Sequence, residues 1–228
     1  MSAFAPLLIL DTALSYVQVT FRNSVGSVFV NSAAQKDTSA LHAMIESVLD
    51  KNENTQPEAV AVVAGPGSFT GLRVAMSAAK GLCFAWGIPL IPLDTLQLFA
   101  WQALSTGFEC PSGAIILSLL EARKDEVYFA LFDHKGRRLI EDSTARLSKE
   151  WYSSLGKVAV ISGSLNDTVE AFSKFNQQKV FLCSVHNIQH EVCLSLADYH
   201  KHNYPLEYVR SCSPNYVKEA YIKGVYEN

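Results

Sequence analysis

The sequence has little of what would mark it as secreted, metal-dependent or membrane-bound. Its five cysteines, Cys83, Cys110, Cys183, Cys193 and Cys212, are odd in number and widely spaced, with no C-x-x-C pair. That pattern argues against both a disulfide framework and a zinc site, and leaves reduced, structural thiols as the expectation. No apolar run approaches the roughly 20 residues of a membrane-spanning helix. The apolar stretch near the N-terminus follows no basic segment and is too short for a signal-peptide core, so a cytosolic location is expected. Lys and Arg total 19 against 22 Asp and Glu, a formal charge of −3, and the cations are scattered. A protein that grips RNA unaided needs a basic stripe, so direct, tight binding to nucleic acid is not expected.

What is present is apolar content enough for a real core: 49% of 228 residues, sufficient for one large domain or two small lobes. Residues 7–10 form an apolar run ending at Asp11-Thr12, and Tyr16, Val17, Val19 and Phe21 resume a β-prone pattern. This predicts a strand, a tight connection and further antiparallel strands. Asp37-Thr38 offers a helix cap ahead of Leu41, Ile45, Val48 and Leu49 at helical spacing. Residues 59–64 read as a buried strand leading through glycines into a helix over 72–86. A strand over 89–93 and a helix over 95–104 follow. Ser105-Thr106-Gly107 is the best lobe boundary, giving an N-terminal lobe over 1–105 and a C-terminal lobe over 106–228 whose final helix could pack back on the first. The second half predicts strands at 114–120, 126–132 and 158–161, a hairpin turn at 133–136, and helices near 167–174 and 191–199. Both halves run from antiparallel strands to helices and another strand, which suggests two related α/β lobes.

The most specific feature is Gly65-Pro66-Gly67-Ser68-Phe69-Thr70-Gly71-Leu72-Arg73, between a buried strand and a helix. Its glycines permit a sharp turn and a close approach of backbone, and Ser68 and Thr70 can cap the following helix. Taken alone, the geometry suits either an anion or plain packing against another strand. The P-loop pattern fails because no Lys follows the last glycine, and the dinucleotide pattern G-x-G-x-x-G is missed by one residue. Arg73 could meet a carboxylate or phosphate, or be a surface ion pair. Small residues in the helix, Ala75 and Ala79 among them, permit close approach of another helix, either the lobe's own packing or a partner's.

This signature resembles that of the TsaB family, also called YeaZ. Leu10-Asp11-Thr12, Gly87-Ile88-Pro89-Leu90, Glu121-Ala122-Arg123-Lys124-Asp125-Glu126-Val127-Tyr128 and Pro214-Asn215-Tyr216-Val217 follow in the order the resemblance implies. The resemblance implies a two-lobed α/β fold of the actin, hexokinase and Hsp70 (ASKHA) group, with mixed sheets flanked by helices. It also implies a cytosolic, non-catalytic scaffold that pairs with a larger catalytic homologue, TsaD, in threonylcarbamoylation of adenosine in tRNA. A TsaE-like ATPase would join the complex, tRNA would be met indirectly, and the isolated chain would form a homodimer. No cofactor is firmly implied, although ATP or ADP could lie at the partner boundary. Interface residues on this reading are Gly65 to Gly71, Arg73, Ala75 and Ala79; Asp11 and Thr12 are nucleotide-adjacent; Glu121 and Arg123 form the second-lobe motif. Relatives usually have Asp where Glu121 stands, and His-Ser where Asp37-Thr38 stands.

Asp11 occupies the position at which kinases of this fold hold a metal-bound phosphate. They follow it with glycines, whereas Ala13-Leu14-Ser15 would obstruct a phosphate, so a turn role is expected. His186 and His190 have a zinc-like spacing but no Glu between them and no third ligand, and a solvated helix face is the plainer reading, as it is for His200 and His202. Ser68 is not in a nucleophile elbow. The alternatives are an independent small-molecule phosphotransferase and a nucleotide-binding regulator of the same fold group.

Overall fold

The computed structural model of the chain describes residues 6–33, 40–53, 55–106, 110–123, 126–164, 181–184, 190–200, 204–205 and 207–217. Its first sheet combines β1 (Leu7–Asp11), β2 (Val17–Arg22), β3 (Val28–Ala33), β4 (Ala59–Gly65) and β5 (Leu90–Asp94) in the order β3-β2-β1-β4-β5. The pairs β3-β2 and β2-β1 are antiparallel, while β4 and β5 add parallel strands on the other side of β1. The second sheet repeats this plan with β6 (Ile115–Arg123), β7 (Glu126–Asp133), β8 (Arg138–Arg146), β9 (Val158–Ser164) and β10 (Phe181–Ser184) in the order β8-β7-β6-β9-β10. The duplication is the two-lobed α/β arrangement of the actin and hexokinase type anticipated above.

Why β1 and β4 carry continuous apolar runs follows from what covers them. Successive side chains of β1 point to opposite faces. Leu7 and Ile9 join a core shared with α3 (Thr95–Ser105), the second sheet and α5 (His190–His200), while Leu8 and Leu10 join a core with α1 (Leu41–Asp50) and α2 (Phe69–Trp86). β4 divides in the same way, Ala61 and Val63 against Val60, Val62 and Ala64. A strand buried on both faces reads as a continuous apolar run rather than an alternating one. Helix α4 (Lys149–Ser154) covers the second sheet through Tyr152, and α6 (Tyr208–Ser211) brings Val209 and Cys212 onto the core beneath α2.

Helix ends follow local chemistry. Ser68 caps α2, its hydroxyl accepting from Gly71 N–H at 3.3 Å, and Gly87 in the left-handed conformation (φ 66°) ends it. Asp94, not anticipated as a cap, accepts from Gln97 N–H at 2.7 Å and starts α3. α1 begins at Leu41 after Ala40 with no side-chain cap, and Asp37-Thr38 lies outside the described residues. Helix α2 starts three residues earlier than expected, at Phe69, and β8, α4 and β10 were not anticipated as elements. The expected helix at 167–174, His186 and His202 lie outside the described residues, as do the side chains of Cys183 and His190.

Candidate functional site

Two surfaces carry the residues singled out in the sequence. The first is a cleft of about 670 Å³ between the lobes, walled by the β1–β2 turn, the loop entering α2, and Leu120, Glu121, Ala122, Tyr128 and Ser164 of the second lobe. The turn is built around Asp11. Its carboxylate is fully buried, accepts the Tyr16 hydroxyl at 2.5 Å and accepts Ala13 N–H at 3.0 Å. Burial raises the Asp11 pKa, and those two hydrogen bonds oppose the rise. Both carboxylate oxygens are thus held by the turn's own groups. Thr12 is buried beside it, and among the described residues its hydroxyl has no hydrogen-bond partner.

The signature loop packs on that turn. Ser68 N–H donates to Ala13 O at 2.8 Å. A Cβ on Gly67 would lie 2.5 Å from Ala13 O, and one on Gly71 would overlap Thr12 O. Gly65, at φ 119° and followed by a cis bond to Pro66, has no room either: its Cβ would sit 2.8 Å from Asn215 O and 2.9 Å from Leu72 Cδ1. Each glycine therefore admits a neighbouring stretch of the same chain, the packing alternative left open by the sequence. Ser68 and Thr70 are exposed on the cleft wall; Phe69 between them is exposed as well, and Arg73 lies over its ring at 5.3 Å. Glu121 is exposed on the opposite wall; Arg123 ends β6, and its side chain is not among those described.

The second surface is a groove of about 550 Å³ between α1 and α2, lined by His42, Ile45, Arg73, Val74, Ser77, Ala78, Gly81 and Leu82. Here the structure corrects the sequence reading. Ala75 and Ala79 are fully buried and face the lobe's own sheet with Met76 and Cys83. The outward stripe lies on the other side of the same helix, through Arg73, Ser77, Gly81 and Phe84, the last 55% accessible. Among the described residues no cluster of His, Cys, Asp and Glu is arranged to hold a metal ion. Cys83, Cys110, Cys193 and Cys212 are free thiols, and burial pushes the Cys83 thiol up to about 12, which keeps it protonated and unreactive.

The family model described as TsaD, tRNA N6-adenosine threonylcarbamoyltransferase, matches residues 13–226. The chain belongs to this family. Among curated relatives, it is 34% identical to the tRNA threonylcarbamoyladenosine biosynthesis protein TsaB of Haemophilus influenzae, over 54% of this chain and 52% of that protein. It is 30% identical to TsaB of Escherichia coli, over 63% of each chain. The chain thus spans between half and two thirds of the length of these relatives. YeaZ from Pseudomonas aeruginosa superimposes with a TM-score of 0.71 at 25% identity, over 93% of this chain and 100% of that one. The resemblance to TsaB and YeaZ read from the signature is thereby upheld. No helix among the described residues is long and apolar enough to cross a membrane.

Proposed function

We propose that the chain acts in threonylcarbamoylation of adenosine in tRNA as a non-catalytic scaffold that pairs with a TsaD-like homologue. The observation that carries this reading is the apolar groove between α1 and α2, left open on a chain of the transferase family. A homologue built on the same plan presents the equivalent pair of helices. Two such faces can be apposed about a pseudo-twofold axis, each filling the other's groove. The same face would close a homodimer when the partner is absent, so self-association and pairing compete. The cleft supports a non-catalytic role in a positive way: Asp11 is consumed by Tyr16 and Ala13, and carbonyl oxygens of Thr12 and Ala13 fill the space against the loop glycines where a phosphate would need donors.

Gly81 is the place to test the pairing. Among the described residues a Cβ there meets nothing within 4 Å, so Gly81→Glu should leave the fold intact yet set a carboxylate in the groove. An unpaired charge buried at a contact costs several kcal/mol. Gly81→Glu and Ser77→Glu should each keep a native circular dichroism spectrum and lose capture by the larger homologue. Capture at wild-type strength by both would move the interface elsewhere. Steady ATP hydrolysis by the isolated chain that vanished in Asp11→Ala would overturn the scaffold reading itself.

A further inference from the structure

Four side chains from three distant stretches of sequence meet where the two lobes and the C-terminal segment converge. Asp94 ends β5 and caps α3; Arg138 and Asp142 stand on β8 of the other sheet; Asn215 lies in the segment that follows α6. The Arg138 guanidinium sits between the acids, one terminal nitrogen 2.8 Å from Asp94 Oδ1 and the other donating to Asp142 Oδ1. It also lies over the Phe132 ring, 4.9 Å from the centroid. Asn215 Nδ2 donates to Asp142 Oδ2 at 2.6 Å. Through its backbone the same Asn215 grips the signature loop: its N–H donates to Ala64 O at 2.7 Å, and its carbonyl fills the space beside Gly65. Next to it, the Tyr216 ring stacks on Phe69, in the first turn of α2, at 5.0 Å.

The charges do not balance. Two carboxyl groups are paired with a single guanidinium, and both ionised would leave a net negative charge in a largely dehydrated junction. We propose that Asp94, holding a proton beside Asp142, forms with Asp142 and Arg138 a latch that holds segment 214–217 on the signature loop and opens as that proton is lost. Burial first, then the hydrogen bond and charge of Asp142, push the Asp94 carboxyl up to about 8, against the pull of Arg138 and Gln97 N–H. Among the described residues, two other titratable groups lie near the site. Tyr204, just after α5, has its phenol raised by burial and by the charges of Cys212 and Asp94. His200, at the end of α5, reaches Gln97 Oε1 with Nε2 at 3.3 Å, and burial lowers its pKa, which favours the neutral ring.

Linkage sets the direction. The closed latch binds the proton more tightly than an open, hydrated Asp94, so its stabilisation is complete below the ordinary carboxylate range. It is then lost as pH rises towards about 8. One proton per opening gives at most about a tenfold change per pH unit, levelling above the closed-state value.

Hydrogen exchange of the Asn215 amide in the full chain, corrected for the intrinsic rate, reads the latch directly between pH 5.5 and 9. Its protection should fall at least tenfold between pH 6 and 8, while that of Val60, whose N–H is bonded to Pro89 O in the first sheet, should not follow. Asp94→Asn, an uncharged mimic of the protonated acid, should hold the latch closed across the range. A flat wild-type profile, or the same fall in Asp94→Asn, would overturn the proposal. Carboxyl carbon resonances of the wild-type protein give a second reading that needs no variant: the Asp94 carboxyl must titrate above pH 6, and an ordinary acidic titration of Asp94 would refute the retained proton.

Discussion

Two glycines on α2 should respond with opposite sign to the same substitution. Replacing Gly with Ala inside a helix normally stabilises by up to about 1 kcal/mol, because Ala loses less backbone freedom. At Gly81 nothing lies within 4 Å of the new methyl, so Gly81→Ala should realise most of that gain. At Gly71 the methyl would overlap Thr12 O and press Ser68 Oγ at 3.2 Å and Ser68 Cβ at 3.3 Å. None of these atoms is the loose end of a long side chain, and the turn carrying Thr12 is pinned by the Asp11 hydrogen bonds to Ala13 and Tyr16. Overpacking of this kind costs roughly 1–3 kcal/mol and more when backbone must move. The two variants should therefore differ by about 2–4 kcal/mol, on the order of 5–15 °C in Tm for a chain of this size. Thermal melts and urea titrations of both, beside wild type, decide the matter. If Gly71→Ala melted with or above Gly81→Ala, the close approach of the β1–β2 turn to the signature loop would be wrong.

The buried end of β2 offers a second test. Arg22, with 7% of its side chain accessible, is paired in a fork with Asp198 of α5 at 2.6 and 2.8 Å. Asp198→Ala should cost on the order of 2–4 kcal/mol in urea unfolding, below the figure for a fully buried pair because Asp198 is 39% accessible. Arg22→Met, which removes the charge and keeps an apolar stem, should cost less than Asp198→Ala; the reverse order would show that the guanidinium's other contacts dominate. Tyr16→Phe withdraws a hydroxyl that lowers the Asp11 pKa, at roughly 1–3 kcal/mol near neutral pH. Because protonated Asp11 depends less on that donor, the deficit should shrink as pH is lowered and Asp11 takes up its proton, and a constant deficit would remove Tyr16 from control of the carboxylate.

The parts of the fold that the sequence discloses are those where a single physical cause leaves a local pattern. Residues 59–64 announce a doubly covered strand, and the glycine signature announces a tight passage into a helix. Elements of mixed polarity escape. β8 is an edge strand whose exposed positions include Leu139, Ile140 and Glu141, so its alternation is blurred, although the turn before it was legible. The stripe of Ala75 and Ala79 illustrates a deeper ambiguity. Small residues four apart identify a helix face where something comes close, but both faces of α2 are largely apolar, and spacing alone does not say whether the neighbour is the lobe's own sheet or another chain. Burial resolves it, placing the close approach inside and the groove outside. The latch of Asp94, Arg138, Asp142 and Asn215 has no local signal, since its members come from three separated stretches of sequence. Only segment 214–217 drew attention beforehand.

The signature loop shows why a glycine-rich strand-to-helix turn cannot be assigned to a ligand by pattern. Such a turn serves an anion when its glycines bare backbone N–H groups to open space, since donors and the helix N-terminus then face the charge together. Here a Cβ added at Gly67 or Gly71 would strike carbonyl oxygens of the β1–β2 turn, and one at Gly65 would strike that of Asn215. Carbonyl oxygens carry partial negative charge, so the surfaces freed by these glycines are lined with the wrong sign for a phosphate. The Ser68 amide is already committed to Ala13 O. The glycines instead let four stretches of chain converge: β1 with its turn, β4, the first turn of α2, and residues 214–217. A strain imposed at any one of them must be felt by the others, because atoms packed at van der Waals contact have no slack to absorb it. Phe69 and Arg73, at the open end of α2, are thereby joined to residues as remote in sequence as Asp142 by a continuous series of contacts: Asn215 bonds Asp142, and Tyr216 beside it packs on Phe69, over which Arg73 lies.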